Sequence, residues 1–354
     1  MPYVKTQDGT DLYVKDWGSG RPVVLLHGWP LNADSWEPQA IALAEAGYRA
    51  IAYDRRGFGR YGRPWGGHDY DTYADDLKAV MEAAGATEGV ALVGFSMGGG
   101  EIARYMSRHG GAGVTHAALI GSVVPGIVQS DANPHGVPEA QLAEIADQIT
   151  KDRAKFFQGF FRDFYGVGLV SHPVSDAFLQ DSWNVAMQAS LHATLAAAKA
   201  WGFTDFTPDL AAFQVPTLII HGTGDATVPF QATAHRAVDG IARNQLVEYS
   251  GARPVRDRGR SPDEGFAHLP RRLTSVVVAM VPPPPFGGGA HPPEPVGEEV
   301  SDEGTRRGDD EQPEQHRRRG LRKQPAQPLR HAGLRFDQRH EARHVGASTQ
   351  QEIA

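Results

Sequence analysis

Five short apolar runs constrain this chain more than any other feature. They are PVVLLH (22–27), YRAIAY (48–53), VALVGF (90–95), VTHAALIG (114–121) and VPTLIIHG (215–222). Each has the length of a strand and too little polarity to leave one face in water, as expected of strands buried on both sides. Residues 35–46, 71–84, 97–110 and 229–240 carry helical spacing, while 11–17 (DLYVKDW) alternates like a strand and 245–249 closes the pattern as another. This alternation predicts a mostly parallel central sheet with helices on both faces. Residues 126–210 depart from it: they read as helices without strands, rich in Ala, Phe and Gln, with a break at 166–173. A helical cap inserted late in the sheet is the expected result.

Composition removes several function classes. There is no cysteine, hence no disulfide and no thiolate metal site. No histidine pair has metal-ligand spacing with supporting carboxylates, so no metal is expected. A net charge of −7 gives no reason to expect nucleic acid or an anionic membrane as partner. No signal-peptide core opens the sequence and no apolar run reaches membrane-spanning length, so a cytoplasmic location is the default expectation. A phosphate-binding G-x-x-x-x-G-K loop is absent.

Gly94-Phe95-Ser96-Met97-Gly98 follows a buried strand and opens a helix, the context in which G-x-S-x-G acts as a nucleophile elbow. Ser96 is the candidate nucleophile, exposed on a strained turn at the positive end of the next helix. His27-Gly28-Trp29-Pro30 follows an earlier strand, where such folds supply a second oxyanion donor; the backbone N–H groups of Trp29 and Met97 are the candidate pair. Asp225 ends HGTGD after the strand at 215–222. Alone it reads as a turn residue, but in the order Ser…Asp…His it is the expected orienter of a general base. His27 and His221 read as loop braces, and His109, His116, His192 and His235 as surface residues.

Together, HGWPLNADSWE, YDRRGFGR, DYDTYADDL, LVGFSMGGGEIARY, VPTLIIHGTGD and VPF resemble the α/β-hydrolases called aryl esterases or cofactor-free (non-heme) haloperoxidases. The resemblance runs from about residue 3 to residue 252. It implies Ser96 as nucleophile, Asp225 as triad acid, Trp29 and Met97 as oxyanion donors, and no metal or organic cofactor. The implied substrate is a small ester or carboxylic acid, with hydrogen peroxide as a second reactant and a homo-oligomer allowed. Pro30 resembles the haloperoxidase branch; lacking an N–H and with φ fixed, it is suited to turn the Trp29 carbonyl toward a bound peroxide. Tyr61 departs from the family, which usually has Ser there. A dehalogenase or epoxide hydrolase on the same fold needs a carboxylate where Ser96 stands.

The general base is missing from its place. The family has Gly-Ala-Pro-His-Gly after the last strand, which puts histidine at position 254, where this chain has Pro254. His268 is the weak fallback, fourteen residues late. Composition also breaks here: residues 1–252 hold 6 Lys, 12 Arg and 12 Pro, and residues 253–354 hold 1 Lys, 16 Arg and 13 Pro. A segment of that kind is expected to be disordered. Its 17 basic and 15 acidic residues nearly cancel, which makes it a poor nucleic-acid arm. Writing 252–274 as degenerate codons and reading one base later permits His-Gly-Leu-Phe-Val-Thr, then Glu-Ala-Asp-Arg-Leu-Thr-Lys-Asp-Leu-Leu-Thr-Phe-Leu, and permits a stop in the codon across Leu273 and Thr274. This matches the family's closing segment, although the family's proline before histidine is missing. The expected organisation is therefore a hydrolase domain over 1–252, with the cap at about 126–210, and an out-of-frame segment over 253–354. As written, the alternative expectation is a hydrolase fold whose catalysis is impaired.

Overall fold

The computed structural model describes residues 2–60 and 62–249. The tail over 253–354, with Pro254 and His268, and Tyr61 lie outside the described residues. Eight strands form one sheet: β1 (Tyr3–Lys5), β2 (Asp11–Gly18), β3 (Arg21–Leu26), β4 (Tyr48–Tyr53), β5 (Val90–Phe95), β6 (Val114–Ile120), β7 (Thr217–Gly222) and β8 (Asn244–Tyr249), in the order β1-β2-β4-β3-β5-β6-β7-β8. β1, β2 and β4 pair antiparallel; from β4 to β8 every neighbour is parallel. The helices are α1 (Glu37–Glu45), α2 (Tyr70–Ala83), α3 (Met97–Arg108), α4 (Glu139–Phe164), α5 (Asp176–Met187), α6 (Leu191–Phe203) and α7 (Ala234–Gly240). The chain therefore has the α/β-hydrolase fold expected from its motifs.

Period-two burial explains why the central strands read as unbroken apolar runs. Val24 and Leu26 of β3 face one layer with Ile51, Leu92, Leu119 and Ile219, packed under α2, α3 and α7. Val23 and Leu25 face the other with Ala50, Ala52, Ala91, Val93, Ile120 and Ile220. On that second face the described packing comes from α1 and the 3-10 turn Ala33–Trp36, which lie over β2, β3 and β4.

The helices begin where their side chains dictate. Asp69 accepts from the Thr72 N–H, Ser175 from Phe178 and Ser190 from Ala193, each capping a first turn. Between β6 and β7 lie α4, α5 and α6, as the helical stretch in the sequence led us to expect. Its first part differs, because 126–138 is not helical. Val128 bridges Val137, and the Asn133 amide donates to the carbonyls of Gly126 (3.0 Å) and Val128 (3.1 Å). α4 is kinked at Asp152 (φ −159°, ψ 85°), whose carboxylate accepts from the Lys155 N–H at 2.9 Å and so restarts the helix.

His27 and His221 are both 1% exposed, and burial holds each imidazole below its ordinary pKa. The unfolded chain takes up these protons near pH 6.5 and the folded chain does so only at lower pH. Stability is thus complete above that value and declines as pH falls below it. Each ring that stays neutral contributes up to about 1.4 kcal/mol per pH unit. The melting temperature is expected to be several degrees lower at pH 5.5 than at pH 7.5, with a shallower drop in His27→Gln. Equal melting temperatures at the two pH values would contradict this account.

Candidate active site

β5 passes into α3 through a single residue, Ser96, the one non-glycine with positive φ among the described residues (φ 53°, ψ −116°). Such a conformation is strained and persists only when its surroundings over-determine it. Here the Ser96 N–H donates to the Ile120 carbonyl (2.8 Å), and the Ser96 carbonyl accepts from the N–H groups of Gly99 (3.1 Å) and Val123 (3.4 Å). The flanking glycines do not carry the turn itself. A Cβ on Gly94 would lie 2.6 Å from the Gly98 carbonyl, and one on Gly98 would collide with the Leu26 carbonyl. They are glycines because α3 lies backbone to backbone on the sheet.

Met97 is fully buried at the head of α3, where the first N–H groups have no intrahelical acceptor and the helix dipole is positive. Tyr70 donates its hydroxyl to the Met97 carbonyl (3.2 Å). The loop after β3 presses on the elbow: a Cβ on Gly28 would lie 2.7 Å from the Phe95 ring and 3.2 Å from Ser96 Cβ. Trp29 then turns its ring away into the helices, donating Nε1–H to the Thr194 carbonyl (3.0 Å) and packing against Phe157, Phe160 and Trp201.

Asp225 leaves the C-terminal end of β7. One carboxylate oxygen accepts from the N–H groups of Thr227 (2.8 Å) and Val228 (2.9 Å). The other lies 3.7 Å from His221 Nε2 and has no hydrogen-bond partner among the described residues. Burial pushes this carboxyl above its ordinary pKa, against the two N–H bonds that favour the charged form. His221 places Nε2 2.8 Å from the Val228 carbonyl, which assigns the proton to that nitrogen; it braces the Asp225 loop and does not line the cavity. His27 acts similarly, accepting from the Arg55 N–H (3.0 Å) with Nδ1 at 2.9 Å from the Gly28 carbonyl. Both readings as loop braces agree with this geometry.

Trp29, Ser96 and residues Ala226–Val228 open into one cavity of about 630 Å³. The aromatic residues of the insertion divide between two roles. Phe156, Phe160 and Trp201 line the cavity with Phe95 and Phe164, whereas Phe157 and Phe161 are buried core and Trp183 ties its Nε1–H to the Ala154 carbonyl. β8 ends beside the Asp225 loop, since the Tyr249 carbonyl accepts from the Thr223 N–H (3.1 Å). Position 254 is five residues beyond that point.

The sequence reading missed the state of DRRGFGR. Charged residues in a glycine-containing connection after a strand read as a solvent-exposed loop, yet Arg55 and Arg56 are each 1% exposed. Arg56 pairs with Asp76 (2.6 Å) and Asp8 (2.7 Å), and Arg55 pairs with Glu101. Charged residues in a loop ordinarily indicate solvent, and nothing local to the sequence marks them as buried. Gly98→Ala is expected to cost about 1–3 kcal/mol, the usual range for overpacking, because its new methyl meets a carbonyl held in the sheet. A urea midpoint equal to the parent's would contradict that contact.

Comparison with known proteins follows the same outline. The family described as alpha/beta hydrolase fold matches residues 21–252. A non-heme haloperoxidase of Rhodococcus erythropolis is 42% identical over 252 residues, 71% of this chain and 92% of its own length. A bifunctional esterase/perhydrolase of Acinetobacter calcoaceticus is 38% identical over 254 residues, 71% of this chain and 92% of its own. The crystal structure of bromoperoxidase from Bacillus anthracis aligns with TM-score 0.71 at 37% identity, covering 78% of this chain and 98% of that one. With its fold and this match, the chain belongs to the α/β-hydrolase family, among relatives that are non-heme haloperoxidases and esterases.

Proposed function

We propose that this protein is a cytoplasmic serine hydrolase that cleaves aryl or short-chain carboxylic esters through an acyl-enzyme, with perhydrolysis as a side reaction. The observation that carries this reading is the strained Ser96, aimed from the head of α3 into an apolar cavity shared with Trp29 and the Asp225 loop. In the proposed reaction a general base takes the Ser96 proton and Oγ attacks the ester carbonyl. The N–H groups of Trp29 and Met97 stabilise the oxyanion, and the alcohol or phenol leaves with a proton. Water then releases the acid; hydrogen peroxide in its place releases a peracid. Asp225 orients the base and holds its positive charge beside the free carboxylate oxygen.

The base is the histidine that the family has at the position of Pro254 and that the shifted frame restores directly after the turn, and residues 253–354 are an out-of-frame translation. Two observations support this. The family match stops at residue 252, and the Rhodococcus relative has about 8% of its length unmatched, roughly the twenty-one residues of the shifted segment 253–273. Moreover, the second face of the sheet has its described cover over β2, β3 and β4, while buried Val93, Ile120 and Ile220 extend it across β5, β6 and β7. The proposal places the closing helix encoded by the shifted frame on that side. His268 is the fallback base.

The test begins with the DNA sequence across codons 245–275 and expression of both frames. The restored chain is expected to hydrolyse p-nitrophenyl acetate, and Ser96→Ala to abolish that activity. The chain as written is expected to be slower by about 10⁴-fold or more, since loss of a triad member leaves only oxyanion and binding contributions. Equal Ser96-dependent rates in the two forms, with the written form losing its rate in His268→Ala, would move the base to His268. In Pro30→Leu the ratio of perhydrolysis to hydrolysis is expected to fall; an unchanged ratio would remove the role given to Pro30.

A further inference from the structure

The assignment of Trp29 and Met97 as oxyanion donors raises a mechanical problem. The two N–H groups come from different elements, one from the loop after β3 and one from the head of α3. Both must lie about 2.7–3.1 Å from the same developing charge. Something has to fix the loop relative to the helix.

Arg55, in the loop after β4, makes contact with both. Its Nη2 donates to the His27 carbonyl at 2.7 Å, and its backbone N–H donates to His27 Nε2 at 3.0 Å. It therefore grips the residue before Gly28 through main chain and side chain together. The same guanidinium ion-pairs with Glu101, which lies four residues after Met97 on α3. Glu101 is completely buried, and its second oxygen accepts from the Tyr53 hydroxyl at 2.6 Å. The guanidinium packs against the rings of Phe58 (5.8 Å) and Tyr73 (5.5 Å), leaving it little room to swing.

We propose that Arg55 and Glu101 are positioning residues of the oxyanion site, their buried ion pair locking the Gly28–Trp29 loop against the head of α3. This rests on the serine-hydrolase reading for its effect on rate, but not for its effect on the loop. A buried ion pair adds little to stability over a well-packed apolar pair, so stability alone does not account for it. Its geometry accounts for it better, because three chain segments meet at one guanidinium. A misplacement of about 1 Å between donor and reacting atom costs on the order of 100-fold in rate.

The test uses the full chain, its frame-restored form, and the double variant Arg55→Met/Glu101→Leu, which leaves no uncompensated charge. Hydrogen exchange at the Gly28 and Trp29 amides is read by mass spectrometry or NMR. In the double variant it is expected to rise about 10-fold or more while strands β5 and β6 keep their protection. The Ser96-dependent kcat of the restored form is expected to fall by at least about 10-fold with KM changed less than about 3-fold, bounded by the ~100-fold or greater cost of losing an oxyanion donor. Unchanged exchange at Gly28 and Trp29 in a folded double variant overturns the proposal, as does unchanged kcat in a form whose rate depends on Ser96. If Ser96→Ala leaves the ester rate untouched, the hydrolase reading fails by itself and exchange alone decides whether the pair locks the loop. If the double variant does not fold, Glu101→Gln takes its place. It keeps the shape and weakens the Arg55 bond, and it should loosen the same two amides by about 3-fold; no change there overturns the proposal.

Discussion

The end of this molecule that carries Ser96 depends on how closely α3 lies on β3. Gly98 brings the helix backbone against the Leu26 carbonyl of β3, and Gly94 on β5 lets the helix backbone at Gly98 and Gly99 pass close to its own strand. That closeness leaves one residue for the reversal from β5 to α3, so Ser96 takes a conformation that an L-residue rarely adopts. The strain is held by three backbone hydrogen bonds, one to β6, one from the first turn of α3 and one from Val123 just after β6. The same closeness sets Met97 at the sheet's C-terminal edge and brings Gly28 within van der Waals reach of Phe95 and Ser96. Ser96, helix head and β3 loop are therefore one packing arrangement.

Parallel strand order does the rest of the assembly. Trp29, Ser96 and Asp225 follow β3, β5 and β7, and all three emerge from the same edge, where open α/β sheets gather their ligands. β8 delivers the chain to that edge beside Asp225, whose free carboxylate oxygen faces no described donor nearer than 3.7 Å. In the proposed reaction, this carboxylate is already oriented by two backbone N–H groups before it meets a base.

Much of this was legible in the sequence because it rests on short-range patterns. Six-residue apolar runs, a glycine-flanked serine between strand and helix, and an aspartate after the last apolar run are each local and each carry a physical reason. Two features were not legible. The kink at Asp152 depends on a cap that interrupts a continuous helical pattern, and its residues then form part of the cavity wall. The burial of Arg55 and Arg56 depends on partners 46 and 20 residues away, Glu101 and Asp76, which no window around DRRGFGR includes. Likewise, the glycines flanking Ser96 were legible as part of a motif, but the close approach of Gly98 to β3 and of Gly94 to α3 is a tertiary fact.

The central claim is that Ser96 is an activated nucleophile at an oxyanion site, and a covalent probe tests it most directly. The frame-restored chain is exposed to a small aryl phosphonofluoridate, digested, and mapped by mass spectrometry. The expected result is a single phosphonyl adduct on Ser96, formed with loss of fluoride and absent after denaturation of the protein before exposure. An adduct on another residue, or none on Ser96 in the folded protein, would contradict the account.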